Sequence, residues 1–278
     1  MKAAESRVLL TGANGGIGQV VAATLAGAGA SVMLAGRSPA RLSAQARTLQ
    51  QSLPAAQVDW HEVDLQRNDA IASLAKQAAK WRCNVVIHCA GVAEFGRFDA
   101  ADPDRMSSVL QTNLLAPMVL TQALLPHLRG LPRAQVICVG SVLGAMGLPG
   151  FTVYCASKFG LRGFAQALRR ELADTSVRVQ YLGPRSTRTP FNSSDVAHYN
   201  QATGTAMDAP DRVAQALLRM LEAGTAERFL GFPEKLGVRI NGLMPSLLDG
   251  AFHKHRASLP LLLRTSTHCP IEEMNNAH

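Results

Sequence analysis

Short apolar runs that end in turn residues alternate along this chain with stretches of helical periodicity, and that alternation narrows the possible folds more than any single motif. R-V-L-L-T at Arg7–Thr11 is the first run, followed by A-S-V-M-L-A-G at Ala30–Gly36 and a third from Val58 to Val63. N-V-V-I-H-C-A-G from Asn84 to Gly91 reads as a fourth strand with a small-residue turn. A-Q-V-I-C-V-G-S ends a fifth at Ser141, V-R-V-Q-Y-L at 177–182 makes a sixth and E-R-F-L-G-F at 227–232 a seventh. Helical patterns fill the gaps: Ile17, Val20, Val21 and Leu25 before Gly27 and Gly29, then Pro39 to about Gln50, Asp104–Leu128, Tyr154–Leu172 and Asp211–Ala223. Strands that alternate with helices join by right-handed crossovers into a parallel sheet covered on both faces. The expected class is therefore α/β, a Rossmann-type doubly wound parallel sheet of about seven strands with a C-terminal helical extension. Such sheets bind ligands at the carboxyl ends of their strands. Gly12–Gly18, Arg37, Asp64, Ala90-Gly91, Ser141 and Gly183-Pro184 all follow predicted strands and so share one rim.

Nothing divides the chain. Its 278 residues contain no linker-like stretch, low-complexity run or repeat, so one domain over 1–278 is expected. The run Leu259–Leu263 is broken by Pro260 and far too short to span a bilayer, and M-K-A-A-E-S-R lacks the apolar stretch of a secretory signal. A cytoplasmic protein is expected. Cys83, Cys89, Cys138, Cys155 and Cys269 are odd in number and form no C-x-x-C pair, which argues for free buried thiols and against a zinc site. The net charge of +8 is spread over the chain without aromatic interleaving, so it does not point to nucleic acid; it suits attraction of a phosphate-bearing cofactor.

The first turn, T-G-A-N-G-G-I-G at Thr11–Gly18, stands between a strand and a helix. Its glycines let the backbone approach a pyrophosphate, whose charge is met by free amides at the positive helix end. The end of the second strand offers no acid for a ribose 2′-hydroxyl; Gly36 and Arg37 stand there, with Ser38 and Arg41 close by. Arginine suits a 2′-phosphate, so NADP(H) is preferred over NAD(H), although Arg37 also fits an ordinary surface residue. Further on, Ser141 follows a strand, and Tyr154 and Lys158 share one helix face four residues apart. An ammonium beside a phenol favours its ionised form, so a lowered Tyr154 pKa and a general acid/base are expected. His88 closes an apolar strand and is expected to be a packed, satisfied side chain.

Together these residues resemble the short-chain dehydrogenase/reductase family over roughly 7–232. The family's T-G-x-x-x-G-x-G is matched by Thr11, Gly12, Gly16 and Gly18, and its serine, tyrosine and lysine by Ser141, Tyr154 and Lys158. Asn113 in T-N-L matches the catalytic asparagine; read without the family, it is a polar helix residue that satisfies its own backbone. The resemblance implies hydride transfer between a nicotinamide cofactor and a carbonyl or alcohol. Tyr154 would donate the proton, Ser141 hydrogen-bond the reacting oxygen, Lys158 hold the nicotinamide ribose, and Asn113 position a water that resupplies protons. It further implies cofactor contacts at Asn14, Gly15, Ile17, Asp64, Leu65, Cys89, Ala90, Gly91, Pro184, Thr187 and Thr189, and a homodimer or homotetramer built on the long helices. Three positions depart from the family: Cys89 replaces its asparagine, Arg185 replaces the glycine of its P-G turn, and Gly15 stands where many NADP users carry a basic residue.

Phe191–Asp208 corresponds to the family's lid over substrate. Leu143, Met146, Leu148, Phe151 and Phe191 are candidate pocket linings or core residues; as linings they favour an apolar ketone, aldehyde or 3-oxoacyl substrate. Beyond Phe232, residues 233–264 carry an apolar stripe of Val238, Ile240, Leu243, Met244, Leu247 and Leu248 beside Lys235 and Arg239. It suits, in order, a cap on the pocket, a subunit interface and peripheral membrane contact. Thr265–His278 reads as a frayed tail. The competing reading of the whole is a catalytically silent NADP-binding regulatory or scaffold protein, for which Arg185 is the best argument.

Overall fold

A computed structural model describes residues 1–259; the remainder of the extension and the tail at 265–278 lie outside the described residues. Continuous apolar runs become strands because a sheet covered on both faces buries every side chain. β1 (Arg7–Thr11), β2 (Ser31–Gly36), β3 (Val58–Glu62), β4 (Val85–His88), β5 (Ala134–Val139), β6 (Val177–Gly183) and β7 (Glu227–Phe229) pair in parallel in the order β3-β2-β1-β4-β5-β6-β7. β4 and β5 are buried at every position, whereas β3, at the edge, has no buried position. β1 sits between β2 and β4, so the chain direction of sheet growth reverses there. That reversal opens a crevice at the strand ends.

Two apolar layers cover the sheet. On one face α1 (Gly16–Gly27), α2 (Pro39–Ser52) and α8 (Pro210–Ala223) bury Val21, Leu25, Leu42 and Leu217 against Val8, Leu10 and Leu34. On the other, α3 (Asn68–Lys80), α5 (Ala116–Arg129) and α6 (Thr152–Glu171) bury Leu74, Leu120, Leu124 and Leu161 against Leu9, Val86 and Val136. Full burial of a leucine contributes about 1.5–3 kcal/mol, so these layers hold the rim in place.

The helix predicted over Asp104–Leu128 is interrupted. α4 (Pro103–Leu110) and α5 are joined by a π-helical turn at Gln111–Leu115, which contains Asn113. Pro103–Arg129, taken as one stretch, is long and apolar enough by length and composition to cross a membrane. Here it packs along the sheet, with Leu120, Leu124 and Leu128 fully buried. The lid contains a helix, α7 (Ser194–Thr203), capped by the Ser193 hydroxyl, which accepts from the Val196 N–H. The extension forms α9 (Glu234–Leu243), a 3-10 stretch (Pro245–Phe252) and α10 (His253–Ala257). Val238 packs on Val142 and Ala145, and the Asn241 amide donates to the Ala145 carbonyl at 2.9 Å. The start of the extension is thereby packed on the turn after β5. Leu243, Met244 and Leu247 of the stripe stay exposed, because the packed face of α9 passes through Val238 and Asn241 instead.

Candidate active site

A cavity of about 890 Å³ follows the carboxyl rim of the sheet from the glycine turn to the lid. Gly12, Asn14, Gly15, Gly16, Ile17 and Gly18 line one end, with Arg37, Ser38, Asp64 and Leu65 beside them. Cys89, Ala90, Gly91, Ser141, Tyr154, Lys158, Pro184, Thr187 and Thr189 line its middle. Thr11 and Asn113 do not. The buried Thr11 hydroxyl instead accepts from the Cys89 and Ala90 N–H groups at 3.2 and 3.3 Å, fixing the wall against which Gly12 packs. A side chain on Gly12, whose φ is +67°, would stand 2.6 Å from the Ala90 Cα. The turn is thus a cradle that only glycine forms.

Asn113 corrects the expectation that it satisfies its own backbone. Its Oδ1 accepts from the Val92 N–H at 2.8 Å, and its Nδ2 donates to the Val92 carbonyl at 3.0 Å and the Ser157 hydroxyl at 3.1 Å. The π turn carries this side chain across to the loop after β4. A Cβ on Gly91 would lie 3.4 Å from Asn113 Oδ1 and 3.6 Å from Lys158 Nζ, so that glycine separates the two groups.

Lys158 is buried, and its Nζ donates to the Val139 carbonyl at 3.3 Å and lies 5.6 Å from the centre of the Tyr154 ring. Burial pushes its pKa down to about 8, with Cys89 and Cys138 acting weakly in the other direction. Burial pushes both thiols up to about 12, which keeps them neutral beside the ammonium. Tyr154 overturns one expectation. Its pKa is raised rather than lowered, because loss of hydration outweighs the opposing hydrogen bond with Ser141. His88 is packed as expected: its Nε2 pairs with the Thr121 hydroxyl at 2.8 Å and burial lowers its pKa to about 4.

Tyr181 is a functional residue that the sequence reading missed. Fully buried in β6, its hydroxyl donates to the Ser141 carbonyl at 2.8 Å and accepts the Ser141 N–H at 3.0 Å. Its ring occupies the space that side chains on Gly140 and Gly144 would need. The Ser141 hydroxyl accepts from the Leu143 N–H at 3.1 Å, which leaves its own hydrogen for the cavity. A tyrosine at an inward position of a largely buried strand was the available signal, since a buried phenol needs a partner. Tyr181→Phe would leave the buried Ser141 N–H unpaired, while the Ser141 carbonyl would keep the Gly144 N–H at 3.0 Å. It is expected to lower stability by about 1–3 kcal/mol, and turnover by about tenfold through loss of Ser141 position. Thermal unfolding and steady-state rates on the same sample check both.

Arg185, the family's missing glycine, is held by Asp208 at 2.8 Å and Glu234 at 3.3 Å, and Arg212 shares Asp208 at 2.9 Å. The substitution ties the exit of β6 to the lid and to α9. All four free cysteines among the described residues are buried or half-buried, Cys269 lies outside them, and no metal-ligand cluster occurs among the described residues.

A glycine cradle at the switch point of a doubly wound parallel sheet defines a Rossmann-type dinucleotide-binding protein. A family model, short chain dehydrogenase, matches residues 6–200. The chain belongs to the short-chain dehydrogenase/reductase family of oxidoreductases. Among relatives, 17-beta-hydroxysteroid dehydrogenase type 1 from Homo sapiens is 28% identical, over 82% of this chain and 79% of its own. A 3-ketodihydrosphingosine reductase from Bacteroides thetaiotaomicron is 28% identical, over 84% and 81%. A metagenomic short-chain oxidoreductase solved in complex with NADP is 29% identical, covering 81% of this chain and 96% of its own with a TM-score of 0.68. A family structure from Burkholderia phymatum, solved with NAD, shares the fold at 18% identity and a TM-score of 0.78 over 87% and 95%.

Proposed function

We propose that this chain is a single-domain NADP(H)-dependent oxidoreductase that transfers hydride between the nicotinamide and a carbonyl or alcohol carbon of an apolar substrate. The observation that carries the reading is the meeting of Ser141, Tyr154 and Lys158 on one wall of a cavity whose far end is the glycine cradle. The cofactor, when bound, supplies or accepts the hydride. In the reductive direction Tyr154 donates its proton to the carbonyl oxygen, which the Ser141 hydroxyl also meets. The raised phenol pKa keeps that proton in place at neutral pH. Lys158 stands at the inner wall, where its ammonium can hold ribose hydroxyls. Asn113 fixes the loop at Val92 beside Gly91 and so acts as a positioning residue. Arg185, which favoured a silent protein, is engaged by Asp208 and Glu234.

Leu143, Met146, Leu148, Phe151 and Phe191 all line the same cavity as Tyr154, which suits an apolar ketone, aldehyde or 3-oxoacyl compound. The two relatives named above carry a hydroxysteroid and a ketodihydrosphingosine in their names, in keeping with such a substrate. Arg37 is exposed at the end of β2 and makes no salt bridge among the described residues, and Arg41 is anchored there by a bond from its guanidinium to the Asn14 carbonyl at 3.0 Å. These cations favour a 2′-phosphate. Titration with NADPH and NADH, followed by oxidation of NADPH against aldehydes, ketones and 3-oxoacyl thioesters, tests the reading. Arg37→Ala should weaken NADPH by about tenfold and leave NADH almost unchanged; a wild-type preference for NADH refutes the assignment.

The exposed faces of α4 to α6 present Leu110, Leu115, Met118 and Phe159, which suits a homo-oligomer. Sedimentation velocity is expected to show a dimer or tetramer, and Met118→Glu to shift it toward monomer.

A further inference from the structure

The extension does more than cover the pocket from outside. α10 packs on the lid helix α7, and Phe252 and His255 enter the cavity wall. Behind them Tyr199 is buried, its hydroxyl 3.0 Å from the Pro149 carbonyl and 2.8 Å from His255 Nδ1. A phenol has one hydrogen. The carbonyl can only accept, so the Tyr199 O–H donates to Pro149 and His255 donates its Nδ1–H to Tyr199. This fixes the tautomer and leaves Nε2 with a lone pair. Burial also lowers the His255 pKa, which favours the neutral ring. Nε2 has no hydrogen-bond partner among the described residues and is not sealed from solvent, whereas neighbouring polar groups of the lid are used within the protein. Asn200 Nδ2 donates to the Ser186 hydroxyl at 3.2 Å, and the Thr203 hydroxyl to the Tyr199 carbonyl at 2.8 Å. Phe252 sets the ring edge-on at a centroid distance of 5.6 Å.

The rings of Tyr154, Phe151, Tyr199 and His255 follow one another at centroid separations of 6.2, 5.8 and 5.5 Å. Two rings, Phe151 and Tyr199, therefore stand between the Tyr154 ring and the imidazole in this succession. We propose that His255, oriented by Tyr199, forms a second polar subsite whose Nε2 accepts a hydrogen bond from a hydroxyl at the end of the substrate remote from its carbonyl. The inference rests on the oxidoreductase reading and adds a substrate class to it: a two-ended molecule, apolar in the middle, with a ketone or aldehyde at one end and a hydroxyl donor at the other. Tyr199 is the positioning residue, since without its oxygen the imidazole is free to take the other tautomer.

The test uses the full chain with NADPH and a chain-length ladder of ω-hydroxy ketones, each paired with its O-methyl ether. At one length the hydroxy ketone is expected to exceed its ether in kcat/KM by about tenfold. His255→Ala should bring that ratio close to one, and Tyr199→Phe should reduce it, since a ratio cancels any general loss of activity or folded fraction. A wild-type ratio near one at every length, or a preferred ratio that survives His255→Ala, overturns the subsite while turnover of either ketone upholds the oxidoreductase. If neither ketone turns over, saturation-transfer NMR of the same pairs with protein and NADPH reads the subsite by itself: selective contact with the hydroxy ketone, lost in His255→Ala, supports it, and equal contact refutes it.

Discussion

Tyr154→Phe is expected to reduce turnover by roughly a thousandfold while NADPH still binds. The change removes one oxygen from a half-buried ring flanked by Phe151 and Phe191 at centroid distances of 6.2 and 6.1 Å. The cavity keeps its shape, so cofactor titration should be nearly unchanged. Direction of pH dependence follows from the raised phenol. Reduction needs the protonated form and should hold its rate through neutral pH; alcohol oxidation needs the phenolate and should climb as pH rises. Stopped-flow rates in both directions, with fluorescence titration of NADPH, check this. Turnover within tenfold of wild type would move the proton to another group.

Gly18→Ala is expected to weaken NADPH by about a hundredfold, because a displaced cradle misplaces everything bound to it. A Cβ there would fall on the Gly12 carbonyl, which is backbone and cannot rotate away. α1 also ends in a glycine, Gly27, where a Cβ would meet nothing closer than the Leu53 Cδ1 at 4.0 Å. Gly27→Ala should instead stabilise by up to about 1 kcal/mol, the ordinary helix preference for alanine over glycine. Thermal melts and NADPH titrations of the two variants separate a requirement of the turn from an effect of the helix. Equal behaviour would mean that Gly18 has no special place.

The strands were legible because a sheet buried on both faces favours apolar runs, which β1, β2 and β4 supply unbroken and β5 and β6 supply with single polar interruptions. Arg37 and the glycine turn were legible because their context, strand before and helix after, is local. What escaped was non-local. Tyr181 meets Ser141 forty positions away, and Tyr199 meets His255 fifty-six away, so no spacing rule relates them. Asn113 was found by resemblance, but its partner Val92 and the π turn that aims it were not. The Tyr154 pKa was misjudged for a different reason. Spacing shows which side chains share a helix face; it does not report how much water they lose, and here that loss decides the sign.

The position of β1 between β2 and β4 also governs when the nucleotide cradle can exist during synthesis. Arg7 donates its N–H to Asn84 Oδ1 across 77 positions, and Val8 is paired with Val85. Until β4 leaves the ribosome, β1, β2 and β3 carry an open apolar edge at the future centre of the sheet. Closing a loop of that length costs little more at equilibrium than closing one half as long, about 0.6 kcal/mol, but it costs time. Gly12 packs on Ala90, just beyond that strand. A nascent chain therefore carries the complete glycine turn long before it has the wall that turns it into a binding site.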